Sequence, residues 1–339
     1  MLKYTGKIIS LAFPDTFVKC SDERFVKALI AVGFGKKNYI KAGHAAFVLI
    51  ENQTGKAEYF DFGRYITPNG YGRVRSAITD VELEIPFKAI ITRGNKLDNL
   101  EEFLVWLEAN PEKTHGSGRL VASVCDYIDY QRSRDFVLSI QKQGSVKYKA
   151  FGKIGSNCSR IVTDTILAGT DHPKIRKPLL RNKLFTPSPL GNVAKAGLEN
   201  PIYQVENGVM DIYPGSIFKE NLTNYFDQNI PENNTHSLVN GELNGENAHF
   251  LEGIGSSAYF ILEESCEKNV FEIKRYTECG KQDFNGLFEV VEGNFDASKT
   301  YRFIYDSNCK YCHLEQSGKK IKLERVSRTV NSVQRKRAV

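Results

Sequence analysis

The feature that most constrains the fold is a mostly apolar run, residues 44–51, that is followed at once by turn residues and a second run. The first run reads His-Ala-Ala-Phe-Val-Leu-Ile-Glu and predicts a strand. Residues 52–55, Asn-Gln-Thr-Gly, supply turn chemistry. Residues 56–63 return as a second strand, so the sequence predicts an antiparallel hairpin with a histidine at its head.

The size and charge of the chain limit the classes of protein it can be. Its 339 residues suggest two domains. Hydrophobic residues make up 41% and charged residues 25%, which is ordinary for a globular protein. The net charge of +6 comes from 46 basic against 40 acidic residues. This excess is modest, so we expect no nucleic-acid partner.

The N-terminal residues and the cysteines bear on the compartment. No apolar run approaches the roughly 20 residues of a membrane helix, so we expect no transmembrane segment. The apolar stretch 8–13 is cut by Pro14 and is too short for a signal peptide, which predicts a cytoplasmic protein. The seven cysteines are an odd number and do not resemble a disulfide framework; reduced thiols fit the cytoplasm.

The hydrophobic pattern predicts a mixed first part and a β-rich last part. Residues 171–200, rich in Pro, Lys and Gly, are expected to be connecting structure. The other expected helices are 99–108, 130–143 and 158–167, and the other expected strands are 5–13, 81–92 and 120–125. Short, aromatic-rich segments follow and predict a small antiparallel sheet or barrel: 258–263, 270–276, 286–292, 300–305, 311–316 and 320–326.

Cys158 has the sequence context of a reactive thiol. Ser156 and Asn157 are both good N-cap residues, which places Cys158 at or near the first helical position. The partial positive charge and free N–H groups of a helix N-terminus favour a thiolate and can also hold a developing oxyanion. The alternative is that Cys158 is a small buried hydrophobic residue, which is the usual role of a lone cysteine.

His44 is a titratable residue at the edge of an apolar strand. It is either a histidine at the rim of the core or the base that activates a nucleophile. On the return strand, alternation puts Tyr59, Asp61 and Gly63 on one face. Asp61 is therefore placed to orient the imidazole, as the third member of a catalytic triad does. Glu58, on the opposite face, and Tyr59 remain alternatives for this third position.

These residues resemble a known family. Gly43–Ile50 (Gly-His-Ala-Ala-Phe-Val-Leu-Ile), a polar residue on the next strand, and Asn157–Arg160 (Asn-Cys-Ser-Arg) opening a later helix are similar to the circularly permuted NlpC/P60 branch of papain-like cysteine peptidases. That branch includes relatives of lecithin:retinol acyltransferase. In its members the His strand precedes the Cys helix, as it does here. The resemblance covers roughly residues 1–200.

The resemblance implies a catalytic set. Cys158 would be the nucleophile, His44 the base and Asp61 the residue that orients the base. The first domain would have the permuted papain-like fold. A covalent acyl-enzyme needs no metal or organic cofactor, so we expect none.

Basic residues follow the hairpin closely. Arg64, Arg73 and Arg75 can bind a carboxylate or phosphate, because a guanidinium fork suits both groups. Arg64 and Arg73, with Asn157 beside the nucleophile, form the expected substrate-binding set. The alternative for the arginines is a set of salt bridges to the acidic residues that follow, Asp80, Glu82 and Glu84.

A second motif, Cys309–His313, has the letters of a c-type haem attachment site, Cys-x-x-Cys-His. Its position between expected strands and the expected cytoplasmic location argue against haem. A zinc site would need further ligands, and Cys266 and Cys279 have no paired spacing of their own. The motif is therefore expected to be strand and turn.

Together the patterns predict an α+β protein: a permuted papain-like (NlpC/P60) domain with an antiparallel sheet and helices at 1–200, then a β-rich accessory domain at 201–339. The expected activity is a cysteine hydrolase acting on a peptide, amide or ester through an acyl-enzyme. An acyltransferase on the same scaffold and a non-catalytic binding module are the alternatives.

Overall fold

The computed structural model describes residues 4–326 except 21–22, 24–25, 27, 29, 31, 37, 152–153, 231–246 and 268. The chain separates into two compact units, Met1–Ser237 with Glu252–Ser256 and Leu238–Leu251 with Ser257–Val339. Both units contain antiparallel sheets, and the first also contains helices. The expected α+β class with a β-rich second unit is confirmed.

The first unit contains a large sheet and a small one. In the described part of the chain the large sheet has eight strands in the order β10-β9-β7-β1-β4-β5-β6-β8, and β2 pairs with β3. These strands are β1 (Gly6–Phe13), β2 (Val18–Lys19), β3 (Tyr39–Ile40), β4 (His44–Glu51), β5 (Ala57–Gly63), β6 (Tyr71–Arg75), β7 (Leu120–Ile128), β8 (Val146–Lys147), β9 (Tyr203–Glu206) and β10 (Val209–Ile212).

Helices of the first unit lie between and after these strands. They are α1 (Leu100–Glu108), α2 (Pro111–Thr114), α3 (Tyr130–Gln141), α4 (Cys158–Gly169), α5 (Pro173–Lys183), α6 (Pro189–Ala196) and α7 (Ile217–Tyr225). The predicted helices that correspond to α1, α3 and α4 are confirmed, with ends that differ by one or two residues.

The centre of the large sheet is buried on both faces. Ala45, Phe47 and Leu49 of β4 pack with α3, α4 and α5. The alternate residues of the same strand pack with α1 and the segment before it. Side chains of a strand point alternately to opposite faces, so a fully apolar strand needs cover on both. The predicted hairpin is confirmed: β4 pairs with β5 in antiparallel register, with Ala46 opposite Asp61.

Two expectations about the first unit are wrong. Residues 81–92 form a short 3₁₀ helix, Val81–Leu83, followed by loop, instead of a strand. Pro86 cannot donate to a sheet ladder, and Leu83, Ile85 and Ala89 bury their apolar surface against α1 without one.

Residues 171–200 contain α5 and α6 instead of connecting structure. Each begins with proline at its first turn, where the missing N–H costs nothing.

The second unit is a single antiparallel sheet over its described residues, in the order β11-β12-β13-β14-β17-β16-β15. The ring of His249 on β11 lies 5.1 Å from that of Tyr301 and 5.4 Å from that of Phe303 on β15, which brings the two edges of the sheet together as in a nearly closed barrel. The strands are β11 (His249–Leu251), β12 (Ala258–Glu264), β13 (Val270–Thr277), β14 (Gln282–Glu292), β15 (Arg302–Ile304), β16 (Tyr311–Gln316) and β17 (Lys319–Arg325).

The assignment of residues 1–200 and 201–339 to a catalytic domain and an accessory domain stays a prediction. In the fold, β9 and β10 belong to the large sheet of the first unit, because β9 pairs with β7. In the second unit, Cys309 and Cys312 are buried, and Cys312 Sγ donates to the Asn308 carbonyl at 3.4 Å. Among the described residues, no helix has the length and apolar character to cross a bilayer.

Phe47 provides a test of the two-sided core. It is fully buried and its ring stacks on Phe60 with centroids 5.3 Å apart. Phe47→Ala is expected to lower the free energy of unfolding by about 3–5 kcal/mol, because it removes apolar contacts and leaves a cavity. Urea denaturation measures the change. The matched control Val209→Ala, at a side chain that is 60% exposed, is expected to change it by less than about 0.5 kcal/mol; equal effects of the two variants would contradict this account of the core.

Candidate active site

Cys158 is the first residue of α4, as the sequence predicts. The Asn157 side chain caps the helix: its Oδ1 accepts from the Arg160 backbone N–H at 2.9 Å. Its Nδ2 donates to the backbone carbonyls of Lys149 at 2.9 Å and Ala150 at 3.3 Å. Both ends of this amide are therefore used to fix the start of the helix, and the sulfur lies where the free N–H groups of the first turn concentrate.

His44 begins β4, opposite Phe13 of β1, and its ring stacks on the Phe13 ring with centroids 6.3 Å apart. The histidine is 5% exposed. His44 and Cys158 line the same cavity and each shifts the pKa of the other, so the fold brings together two groups that are more than a hundred residues apart in sequence.

Asp61 lies on the neighbouring strand β5, close to the imidazole of His44. Its Oδ2 is 3.6 Å from His44 Nε2. This separation is longer than a hydrogen bond, and Nε2 makes no hydrogen bond among the described residues. Asp61 therefore acts on His44 through its charge, and in a buried site that interaction is only weakly screened.

The pKa values of the three groups follow from this arrangement. Burial would raise the pKa of the Asp61 carboxyl, but Arg75 and His44 hold it at about 2. Burial would lower the pKa of His44, but Asp61 and Cys158 raise it to about 9. Burial would raise the pKa of Cys158, but His44, the backbone N–H of Ala45 and the Ser159 hydroxyl lower it. Both the raised pKa of His44 and the lowered pKa of Cys158 favour a thiolate beside an imidazolium.

Arg75 holds Asp61 in place. Its Nε donates to Asp61 Oδ1 at 3.0 Å and its Nη2 donates to Oδ2. Nη2 also donates to the Lys113 carbonyl at 3.0 Å. The Tyr59 hydroxyl donates to Asp61 Oδ2 at 3.2 Å. Tyr59 on β5 and Arg75 on β6 therefore hold the Asp61 carboxylate in position near the imidazole.

An aromatic wall continues from Arg75. Its guanidinium lies over the Tyr65 ring, 3.9 Å from the centroid. The ring of His115 also stacks on that of Tyr65, with centroids 4.6 Å apart. His115 has a left-handed backbone conformation with φ of 52°, and burial together with Arg75 lowers its pKa well below the usual value. It is therefore neutral where His44 is charged.

These groups surround a cavity of about 320 Å³, which we call the catalytic cavity; His44, Arg64, Tyr65, His115, Tyr148 and Cys158 are among its lining residues. A volume of this size lies at the lower end for sites that bind small molecules.

The other residues that the sequence singled out lie as follows. Arg64 lines the catalytic cavity, and Arg73 does not. Arg73 instead donates to the two oxygens of Asp80, at 2.6 and 2.7 Å, which is the salt bridge that the sequence left open. Glu58 is bonded to Arg134 Nε and to the Tyr130 hydroxyl, each at 2.7 Å, away from the imidazole. Asn157 fixes the helix that carries the thiol.

Sequence reasoning missed three contributions to the site. It named Arg75 only as one of three arginines that could bind an anion or form salt bridges to Asp80, Glu82 or Glu84, whereas the structure pairs it with Asp61. It gave no role to Tyr65 or Tyr148, which line the cavity. The signal for the role of Arg75 is the alternation of side chains along β5 and β6, which puts Asp61 opposite Arg75. The sequence contains no comparable signal for Tyr65 or Tyr148.

The fold and site define an α+β protein in which a half-buried cysteine lies near a buried histidine and a buried aspartate. Residues 8–175, which include Cys158, His44 and Asp61, match the family model described as type VI secretion system effector TseH-like. Residues 248–326 match the model of the DUF6695 C-terminal domain.

Among solved structures, the crystal structure of the type VI secretion system effector TseH aligns with a TM-score of 0.43 and 18% identity, over 62% of this chain and 98% of that chain. No curated protein matches the chain in sequence.

Alkylation of Cys158 by iodoacetamide tests the electrostatics of the cluster. We expect Asp61→Asn to slow the reaction at about pH 6 by about tenfold, because the imidazolium loses its negative neighbour and the pKa of the Cys158 thiol rises. Mass spectrometry of the Cys158 peptide over a pH series measures this. Asp61→Glu restores the charge and is expected to recover part of the rate.

The matched control is Asp98→Asn, which removes an exposed carboxylate. It is expected to leave the profile unchanged. Circular dichroism of each variant confirms that it is folded. A profile for Asp61→Asn that coincides with the parent profile, in a folded protein, would contradict the role given to Asp61.

Proposed function

We propose that this protein is a cysteine hydrolase of the circularly permuted NlpC/P60 (papain-like) type, which cleaves an amide or ester through an acyl-enzyme. The observation that carries the proposal is the position of the Cys158 thiol at a helix N-terminus beside a buried imidazole that itself faces Asp61. The chain order, with His44 on a strand before Cys158 on a helix, supports the permuted assignment.

In the proposed reaction the Cys158 thiolate attacks the carbonyl carbon. A C–S bond forms, and the carbonyl electron pair moves to the oxygen. The N–H groups at the start of α4 stabilise this oxyanion. The intermediate collapses, the bond to the leaving group breaks, and the His44 imidazolium protonates that group. His44 then takes a proton from water, which attacks the thioester and releases the acid and the thiolate. Asp61 stabilises the imidazolium throughout.

We also propose that the protein acts as a type VI secretion effector. The support is the match of residues 8–175 to the model of that family, in a segment that includes the whole candidate site. Delivery by a secretion machine would carry the protein out of the cell that makes it to a target elsewhere.

Burst kinetics with 4-nitrophenyl acetate test the acyl-enzyme. We expect a rapid release of 4-nitrophenol equal to the amount of enzyme, and an acetyl group on the Cys158 peptide by mass spectrometry, because the thioester forms faster than it hydrolyses. Cys158→Ala is expected to abolish the burst, and His44→Ala to slow it by about 10²-fold or more.

The matched control is Cys279→Ala, which removes an exposed thiol of the second unit and is expected to retain the burst. A burst that survives in Cys158→Ala, or a Cys158 that alkylates no faster than Cys279, would sink the catalytic proposal and favour a binding module. Addition of a primary alcohol or amine separates the two enzymatic alternatives, since an acyltransferase transfers the acetyl group to it and a hydrolase releases acetate.

A further inference from the structure

A second cavity reaches Cys158 and is not lined by His44. It has a volume of about 290 Å³, and we call it the apolar cavity. Most of its lining is aliphatic or aromatic, including Val26, Ile30, Phe34, Ile40 and Phe185. Its walls are tied together by ring contacts, with Phe151 and Phe185 centroids 5.0 Å apart.

Three of the polar side chains that line the apolar cavity are bonded to the backbone or exposed at the surface. The Thr186 hydroxyl donates to the Ala150 carbonyl at 2.8 Å. The amide of Asn157 is bonded to the backbone on both ends. Lys19 is exposed. A polar ligand group would lose its bonds to water here without replacement, whereas an apolar group gains from leaving water.

Arg64 gives the catalytic cavity a different character. It is only 8% exposed. Its Nη2 donates to the Lys19 carbonyl, and its guanidinium lies over the Tyr148 ring, 4.6 Å from the centroid. Among the described residues it has no carboxylate partner. A buried guanidinium without a counter-ion is costly, and its fork suits a carboxylate or a phosphate.

The surroundings of Arg64 add positive charge. It also lines a neighbouring cavity of about 450 Å³ together with Lys147 and Lys149. The acidic residue of that cavity, Glu23, accepts from the backbone N–H groups of Ala150 at 2.7 Å and Phe151 at 3.4 Å, and is thereby engaged with the backbone. The side of the site that holds Arg64 therefore favours an anion.

We propose that the substrate of Cys158 is an anionic amphiphile: an ester or amide with an apolar chain in the apolar cavity and a carboxylate or phosphate on Arg64. This inference rests on the proposed function and names the substrate class of the same site. Cys158, Val18, Lys19 and Tyr148 line both cavities, so one molecule can extend from one to the other past the thiol.

N-alkyl iodoacetamides test the apolar half. We expect N-octyl iodoacetamide to alkylate Cys158 at least tenfold faster than N-ethyl iodoacetamide, with each rate divided by that of the exposed Cys279 in the same protein, which reports the intrinsic reactivity of the reagent. Ala42→Phe, which places a large ring in the cavity, is expected to reduce this ratio to near one. Ile40→Ala enlarges the cavity and is expected to shift the preference to longer chains, which keeps the test decisive if the first variant does not fold.

Anionic reagents test the other half. N-(2-carboxyethyl) and N-(2-phosphonooxyethyl) iodoacetamide are compared with the N-ethyl reagent, and whichever is faster at Cys158 identifies the anion as carboxylate or phosphate. Arg64→Gln is expected to lower the preferred anion's advantage by about tenfold. The matched control is Arg132→Gln, which removes an exposed arginine paired with Asp171 and the same unit of charge; it is expected to leave the ratio unchanged.

The outcomes separate this inference from the proposed function. If Cys158 reacts rapidly with iodoacetamide at about pH 6, in the range where a free thiol is protonated, but shows neither chain-length nor anion preference, the amphiphile is wrong and the Cys–His mechanism stands. If Cys158 reacts no faster than Cys279 with iodoacetamide itself, both fail. An anion preference that Arg132→Gln lowers as much as Arg64→Gln does would assign it to net charge and overturn the role of Arg64.

Discussion

The burial of β4 on both faces is the constraint on which the first unit depends. Helices α3, α4 and α5 cover one face, and α1 with the segment before it covers the other. Because α4 must pack on the first face, its N-terminus and Cys158 come to the end of β4 where His44 begins the strand. The same packing that stabilises the sheet therefore creates the contact between thiol and imidazole.

Charge is placed at that strand end in a fixed order. Asp61 and Arg75 occupy opposite positions on β5 and β6, and their ion pair is almost completely buried. A buried pair of this kind is weak evidence for stability, since removing two charges from water is costly. Here it presents a permanent negative charge to His44, which in turn favours the thiolate. Arg75 therefore stabilises the charge of Asp61, Asp61 favours the imidazolium of His44, and His44 favours the thiolate of Cys158.

The sequence predicted the local elements well and the connections between them less well. The β4–β5 hairpin and the strands of the second unit have strong alternation and turn residues, which are local signals. The segment 81–92 has an apolar pattern that fits a strand, but its side chains bury themselves from a 3₁₀ turn and loop. The prolines of 171–200 were taken as loop formers, although proline also begins helices, as it does in α5 and α6.

For the site, the sequence supplied the residue types and the fold supplied the distances. The N-cap at Asn157, the thiol at the head of a helix and the face shared by Tyr59 and Asp61 all follow from local rules. The partner of Arg75 and the side of Cys158 on which each cavity opens do not, because they depend on how separate elements pack.

By itself, therefore, the sequence determined an α+β chain with a histidine strand, a later cysteine helix and a β-rich end, since these are set by periodicity, capping and turn chemistry within short segments. Only the tertiary structure decided that Arg73 pairs with Asp80 while Arg64 has no carboxylate partner among the described residues, and that an apolar cavity adjoins the thiol. The physical reason is that a guanidinium binds whichever carboxylate or backbone carbonyl the packed elements bring within reach, and a cavity exists only where they leave a gap.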